Sequence, residues 1–121
     1  MKDIEKKKIE LKKYIENNPD DYYGYEKLAA LCETVEEKKA VWRECIAENP
    51  DDNWRYYGLA EVCETVEEKK KVWWECISRN PNIYGYRKLI NLYETEEEKK
   101  AIFLQYILKN FDYFYDYGNL L

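Results

Sequence analysis

The chain has 121 residues, of which 45% are apolar, 37% charged and 17% aromatic, with 13 Tyr, 4 Gly, 3 Pro, no His and a formal charge of −5. This balance suits a single domain with one continuous core; it excludes a disordered chain, and the scarcity of Gly and Pro excludes a turn-rich all-β protein. Nucleic acid is not expected as a partner, because phosphate backbones are held by clustered Lys and Arg, whereas Lys6-Lys7-Lys8 and Lys69-Lys70-Lys71 adjoin Glu and read as solvated helix faces.

The opening residues Met1 to Lys8 have no apolar stretch behind their charges, and no window of about 18 apolar residues occurs to span a membrane. With four Cys and no secretory leader, free thiols and a soluble cytoplasmic protein are expected.

An internal repeat organises the chain. Asn18-Pro19-Asp20-Asp21 returns as Asn49-Pro50-Asp51-Asp52, as Asn80-Pro81-Asn82 and, degenerately, as Asn110-Phe111-Asp112. Cys32-Glu33-Thr34-Val35-Glu36-Glu37 returns as Cys63-Glu64-Thr65-Val66-Glu67-Glu68 and as Tyr93-Glu94-Thr95-Glu96-Glu97-Glu98. One domain over 1–121 is therefore expected, with an N-terminal capping helix (1–17), three repeats (18–48, 49–79, 80–109) and a C-terminal half-repeat cap (110–121).

In chain order, a lone Lys/Glu-rich helix covers roughly 4–17. Each repeat then contributes a first helix (about 22–33, 53–64 and 83–93) and a second (about 35–48, 66–79 and 96–109). Tyr25, Leu28, Ala29 and Cys32 fall at the i, i+3, i+4, i+7 spacing of one apolar helical face, as do Val41, Trp42, Cys45 and Ile46 in the second helix. Thr34 with Glu37, Thr65 with Glu68 and Thr95 with Glu98 form capping boxes that start the second helices. Pro after Asn stops them, and Asp21, Asp52 and Asn82 are placed to cap the next first helix. A stub of first helix over 113–121 closes the series. An up-down bundle of single helices of about 28 residues is the alternative, supported by the seven-residue spacing of Leu28, Val35 and Trp42 and opposed by the wholly polar stretch Glu94 to Lys100.

The units resemble tetratricopeptide repeats. In the second, Tyr56, Leu59, Ala60 and Cys63 stand where that family has its first-helix Trp, Leu, small residue and Tyr, and Trp73, Cys76 and Pro81 where it has its second-helix aromatic, small residue and closing Pro. The first unit matches through Tyr25, Leu28, Ala29, Cys32, Trp42, Cys45 and Pro50, and the third through Tyr86, Leu89, Ile90, Tyr93, Phe103 and Tyr106. Each unit is about three residues short of the family's, and Lys38, Lys69 and Lys99 replace a small residue. The resemblance implies an all-α fold in which stacked helix-turn-helix units form a short right-handed α-solenoid.

The resemblance also places two aromatic ladders: Tyr25, Tyr56, Tyr86 and Tyr117 pack between helices, while Tyr23, Trp54, Tyr84 and Tyr115 face the inner groove. Tyr57, Arg87 and Asn91 would share that groove with Glu26, Glu33, Glu61, Glu64 and Glu94, and such a surface suits a basic or aromatic peptide segment. Packing of these rings between neighbouring repeats is the other reading. Only Arg87 and Asn91 match the carboxylate-clamp positions of the family, so a clamp is not expected.

Without His, a nucleotide-binding glycine pattern or a nucleophile elbow, no enzyme activity and no cofactor are expected. Cys32, Cys45, Cys63 and Cys76 lack zinc-ligand spacing, and the third unit has Tyr at both matching positions; they read as small core residues, with no metal. The expected function is therefore a protein- or peptide-interaction module with candidate residues Tyr23, Glu26, Trp54, Tyr57, Glu61, Tyr84, Arg87 and Asn91. A structural or designed repeat scaffold with no evolved ligand is the alternative, since units one and two agree at about two-thirds of positions. A third reading is self-association through the aromatic C-terminal end, so that the chain is expected to be either a monomer or weakly self-associating.

Overall fold

The structure, a computed structural model, describes residues 2–118, with side chains through Lys109. Among these residues there are seven helices and no strand: α1 (Asp3–Asn17), α2 (Tyr22–Leu31), α3 (Val35–Glu48), α4 (Asn53–Val62), α5 (Val66–Arg79), α6 (Ile83–Ile90) and α7 (Glu96–Gly118). Packing runs from each helix to the next along the chain. Helix breaks at Cys32–Thr34, Cys63–Thr65 and Asn91–Thr95 select stacked hairpins over single long helices. No described helix is long and apolar enough to cross a membrane.

The starts of these helices follow from their caps. Asp21, Asp52 and Asn82 accept hydrogen bonds from the amides of Tyr23 (2.9 Å), Trp54 (3.0 Å) and Gly85 (2.7 Å). Thr34, Thr65 and Thr95 each accept from the amide three residues on at 3.1 Å. The Glu at that third position returns to the Thr hydroxyl, which donates to it, rather than to an amide. Lys38 extends to the turn and donates to the Ala29 carbonyl at 3.0 Å, helping to close the C-terminus of α2.

The core is the inward face of every hairpin. Tyr25, Tyr56 and Tyr86 are buried, with Leu28, Leu59 and Leu89 one turn on and Trp42 and Trp73 from the second helices. Neighbouring repeats approach closely at Gly58 on α4, where a Cβ would meet the Trp42 ring at 2.5 Å. Polar pairs also join neighbouring repeats: Lys39 with Glu68, Arg43 with Glu75, and Asn53 with Asn82.

The three links from a second helix to the next first helix solve one problem in three ways. The carbonyls of Tyr14, Cys45 and Cys76 lie at equivalent places in the last turns of α1, α3 and α5, where helical partners run out. Asn18 donates its side-chain amide to the Tyr14 carbonyl at 2.9 Å. The Asn80 backbone amide reaches the Cys76 carbonyl at 3.0 Å. At the middle link the Asn49 amide bonds to Ile46 instead, and the Arg55 guanidinium takes the Cys45 carbonyl at 2.6 Å. Arg55 is only 1% exposed. It also donates to the Asp20 carbonyl at 3.3 Å and pairs with the Asp52 carboxylate at 3.2 Å. The equivalent residues in the other repeats are Gly24 and Gly85.

The C-terminal half-repeat cap is a correction. A break was expected at Asn110, yet α7 runs unbroken to Gly118. Phe111 stands where Pro19, Pro50 and Pro81 follow Asn in the other links, and Phe keeps the amide donor and backbone freedom that Pro lacks. The Tyr115 and Tyr117 side chains, expected to extend the two ladders, lie outside the described residues.

Candidate functional site

The first helices present one continuous aromatic face. Tyr25, Tyr56 and Tyr86 point into the core, so residues two positions earlier emerge on the opposite side of their helix: Tyr23 is 64% exposed and Trp54 58% exposed. Between α2 and α4 lies an open groove of about 470 Å³ lined by Tyr22, Tyr23, Glu26, Asp52, Trp54 and Tyr57. It continues toward the other ends of these helices past Ala30, Lys38 and Glu61. Glu26 and Glu61 are exposed and form no salt bridge with any described residue.

One step further along the stack the same face is closed. Tyr84 is half-buried, its ring 5.5 Å from Trp54 and 5.9 Å from Trp73 between centroids. The Lys88 ammonium lies 4.9 Å from the Tyr57 ring centre and 5.6 Å from that of Tyr84. By repeat register, Tyr57, Tyr84 and Lys88 correspond to Glu26, Trp54 and Gly58 in the α2–α4 step. Between α4 and α6, therefore, a cation from the chain itself covers the rings. Between α2 and α4 the chain offers a carboxylate and a ring, and Gly58 contributes no ammonium.

The structure thus brings Trp54, Tyr57 and Tyr84 together and sets Tyr23, Glu26 and Glu61 along the adjoining groove. Arg87 on α6 and Asn91 just past its C-terminus are exposed and do not line that groove. Sequence reasoning missed Tyr22, whose ring packs 5.3 Å from Trp42 and 5.8 Å from Tyr23. Burial pushes its hydroxyl up to about 12, so it stays a neutral donor in the groove wall. Lys88 was also missed; its signal was the i+4 spacing from Tyr84.

The thiols are dispersed rather than clustered. Cys45, Cys63 and Cys76 are buried and Cys32 partly so. Cys32 and Cys63 each donate to the carbonyl four residues earlier at 3.4 Å. Among the described residues no group of three or more potential ligands converges on a metal-sized site. Burial pushes Cys45 and Cys76 up to about 11 from an ordinary 9.0. In that interval the unfolded chain has released protons that the folded chain still holds, so stability falls as pH rises from about 9 to 11. Urea midpoints measured across this range should decline, and substituting Ala at both positions should flatten the decline; an unchanged slope would show that these thiols are not the cause.

Compared with known proteins, the sequence matches no protein-family model and no curated protein.

Proposed function

We propose that the chain is a tetratricopeptide-like, non-enzymatic interaction module of the cytoplasm, and that the α2–α4 groove holds a short peptide segment carrying Lys or Arg beside an aromatic residue. One observation carries this reading: Tyr23 and Trp54 stand exposed on either side of a groove whose wall bears the unpaired Glu26 carboxylate. Large rings held on rigid helices lose little entropy on binding and anchor interfaces well. A cation arriving over Trp54 would gain about 0.5–1 kcal/mol from the ring face, more if desolvated. Glu26 supports it from the adjacent helix, in the place where Tyr57 supports Lys88 in the next step.

The test is a selection from a random peptide library on the intact protein and on a Trp54→Ala variant. Peptides that share a Lys or Arg next to an aromatic residue should be enriched, and raised salt should weaken them. The variant should lose at least about tenfold in affinity, equivalent to ~1.4 kcal/mol. Because the Trp54 ring is mostly in solvent, its removal should cost less than about 1 kcal/mol of stability. Absence of a consensus, or peptides held equally by the variant, would return the ladder to a packing role and favour the scaffold reading.

A further inference from the structure

In this fold, a second helix is covered on its outer side by the first helix of the next repeat. Trp42 on α3 is covered by α4 at Gly58, and Ile77 on α5 by α6 at Gly85, where a Cβ would lie 2.6 Å from the Ile77 side chain. Trp42 and Trp73 correspond to Phe103 on α7, and Ile46 and Ile77 to Ile107. Those four earlier residues are all buried, whereas Phe103 is 47% exposed and Ile107 40% exposed. Leu104 and Leu108, beside them on α7, are exposed as well. The last described second helix therefore presents the apolar face that a further first helix would cover.

The sequence beyond Asn110 carries the pattern of such a helix. Asn18 to Tyr25, Asn49 to Tyr56 and Asn110 to Tyr117 have the same seven-residue separation. Each Tyr is followed at the same spacing by a Leu and a second small or apolar residue: Leu28-Ala29, Leu59-Ala60 and Leu120-Leu121. To cover its own Phe103 and Ile107 this segment would have to reverse near Asn110. It does not reverse, because α7 continues to Gly118. Nine residues longer than α3 or α5, the helix carries the segment along its own axis, about 1.5 Å further per residue, away from the face it matches.

We propose that the part of α7 beyond Asn110, which runs to Gly118, covers the Phe103 and Ile107 face of a second copy, and that the second copy's α7 does the same in return. A first helix packs antiparallel to the second helix before it, and a two-fold axis beside Asn110–Asp112 sets two α7 helices antiparallel in that register. The straight helix and the uncovered face are then satisfied by one closed, symmetric pair, with each partner giving and receiving the same element. Phe111 is the hinge: it is the residue whose identity keeps α7 straight.

Sedimentation across micromolar to millimolar concentrations tests this, with circular dichroism as a check on folding. The wild-type chain should form a species of twice its 14.8 kDa mass and dissociate only on dilution. Two variants should be monomeric with the helical signal retained. Phe111→Pro restores the helix stop and lets the segment turn back onto its own α7. Ile107→Glu places a charge on the receiving face at a residue already partly in water. A wild-type chain that is monomeric throughout, or a dimer that survives either variant, would overturn the proposal.

Discussion

Replacing Asp52 by Ala is expected to cost the fold about 3–5 kcal/mol, seen as a large drop in the urea midpoint. Asp52 has two duties: its carboxylate caps α4 through the Trp54 amide, and it is the only counter-charge paired with Arg55 among the described residues. Arg55 is held almost wholly out of water by the Cys45 and Asp20 carbonyls and lies 5.8 Å from the Tyr25 ring. Without Asp52, a guanidinium would stay buried with dipoles alone to balance it, and that unpaired charge outweighs the lost cap, which is worth ~1 kcal/mol. Asp52→Asn should keep the cap and so lose about 1 kcal/mol less. If both variants behaved like surface substitutions, with changes within about 0.5 kcal/mol, Arg55 would have to be hydrated in solution.

Trp42→Ala should be comparably severe, at about 3–5 kcal/mol, because the ring fills the space between α3 and α4 and also contacts Tyr22. Gly58→Ala should cost about 1–3 kcal/mol for the opposite reason: its methyl would press on a flat, rigid ring that cannot swing aside. The two should not add. In the double variant the methyl enters the space left by the indole, so its loss should fall short of the sum of the single losses in a denaturation cycle. Strict additivity would mean that α4 does not approach Trp42 closely. Natural domains hold only about 5–15 kcal/mol in total, so either large loss approaches the limit of what a domain this size can tolerate.

The arrangement of helices was readable because local signals agreed with one another. Asp21, Asp52 and Asn82 cap as their positions suggested, the Thr boxes start α3, α5 and α7, and Tyr25, Tyr56 and Tyr86 are core. Tyr23 and Trp54, set on the groove side only by the resemblance of the units to tetratricopeptide repeats, are exposed. What escaped the local signals were interactions between units. Nothing in the spacing of Arg55 indicates burial, since an Arg where the other repeats have Gly reads as solvent-facing; only the unpaired Cys45 carbonyl across the turn explains it. Tyr22 and Lys88 were overlooked because their roles depend on rings in other helices. The end of α7 was misread because Asn110 and Asp112 keep the form of a turn while Phe111 removes the residue that enforces one.

The three carbonyl solutions at the links bear on how freely these units could be exchanged. Units one and two look like copies, but each link is a lock cut for the helix entering it. Moving Gly24 into the middle link would leave the Cys45 carbonyl without Arg55, while an Arg at the third link would find the Cys76 carbonyl already taken by the Asn80 amide and the Asp51 carbonyl by the Asn80 side chain. Chimeras joined within the Asn-Pro turns would therefore mismatch, whereas crossovers within the Thr boxes, whose hydrogen bonds are alike in all three repeats, would keep every link with its own key.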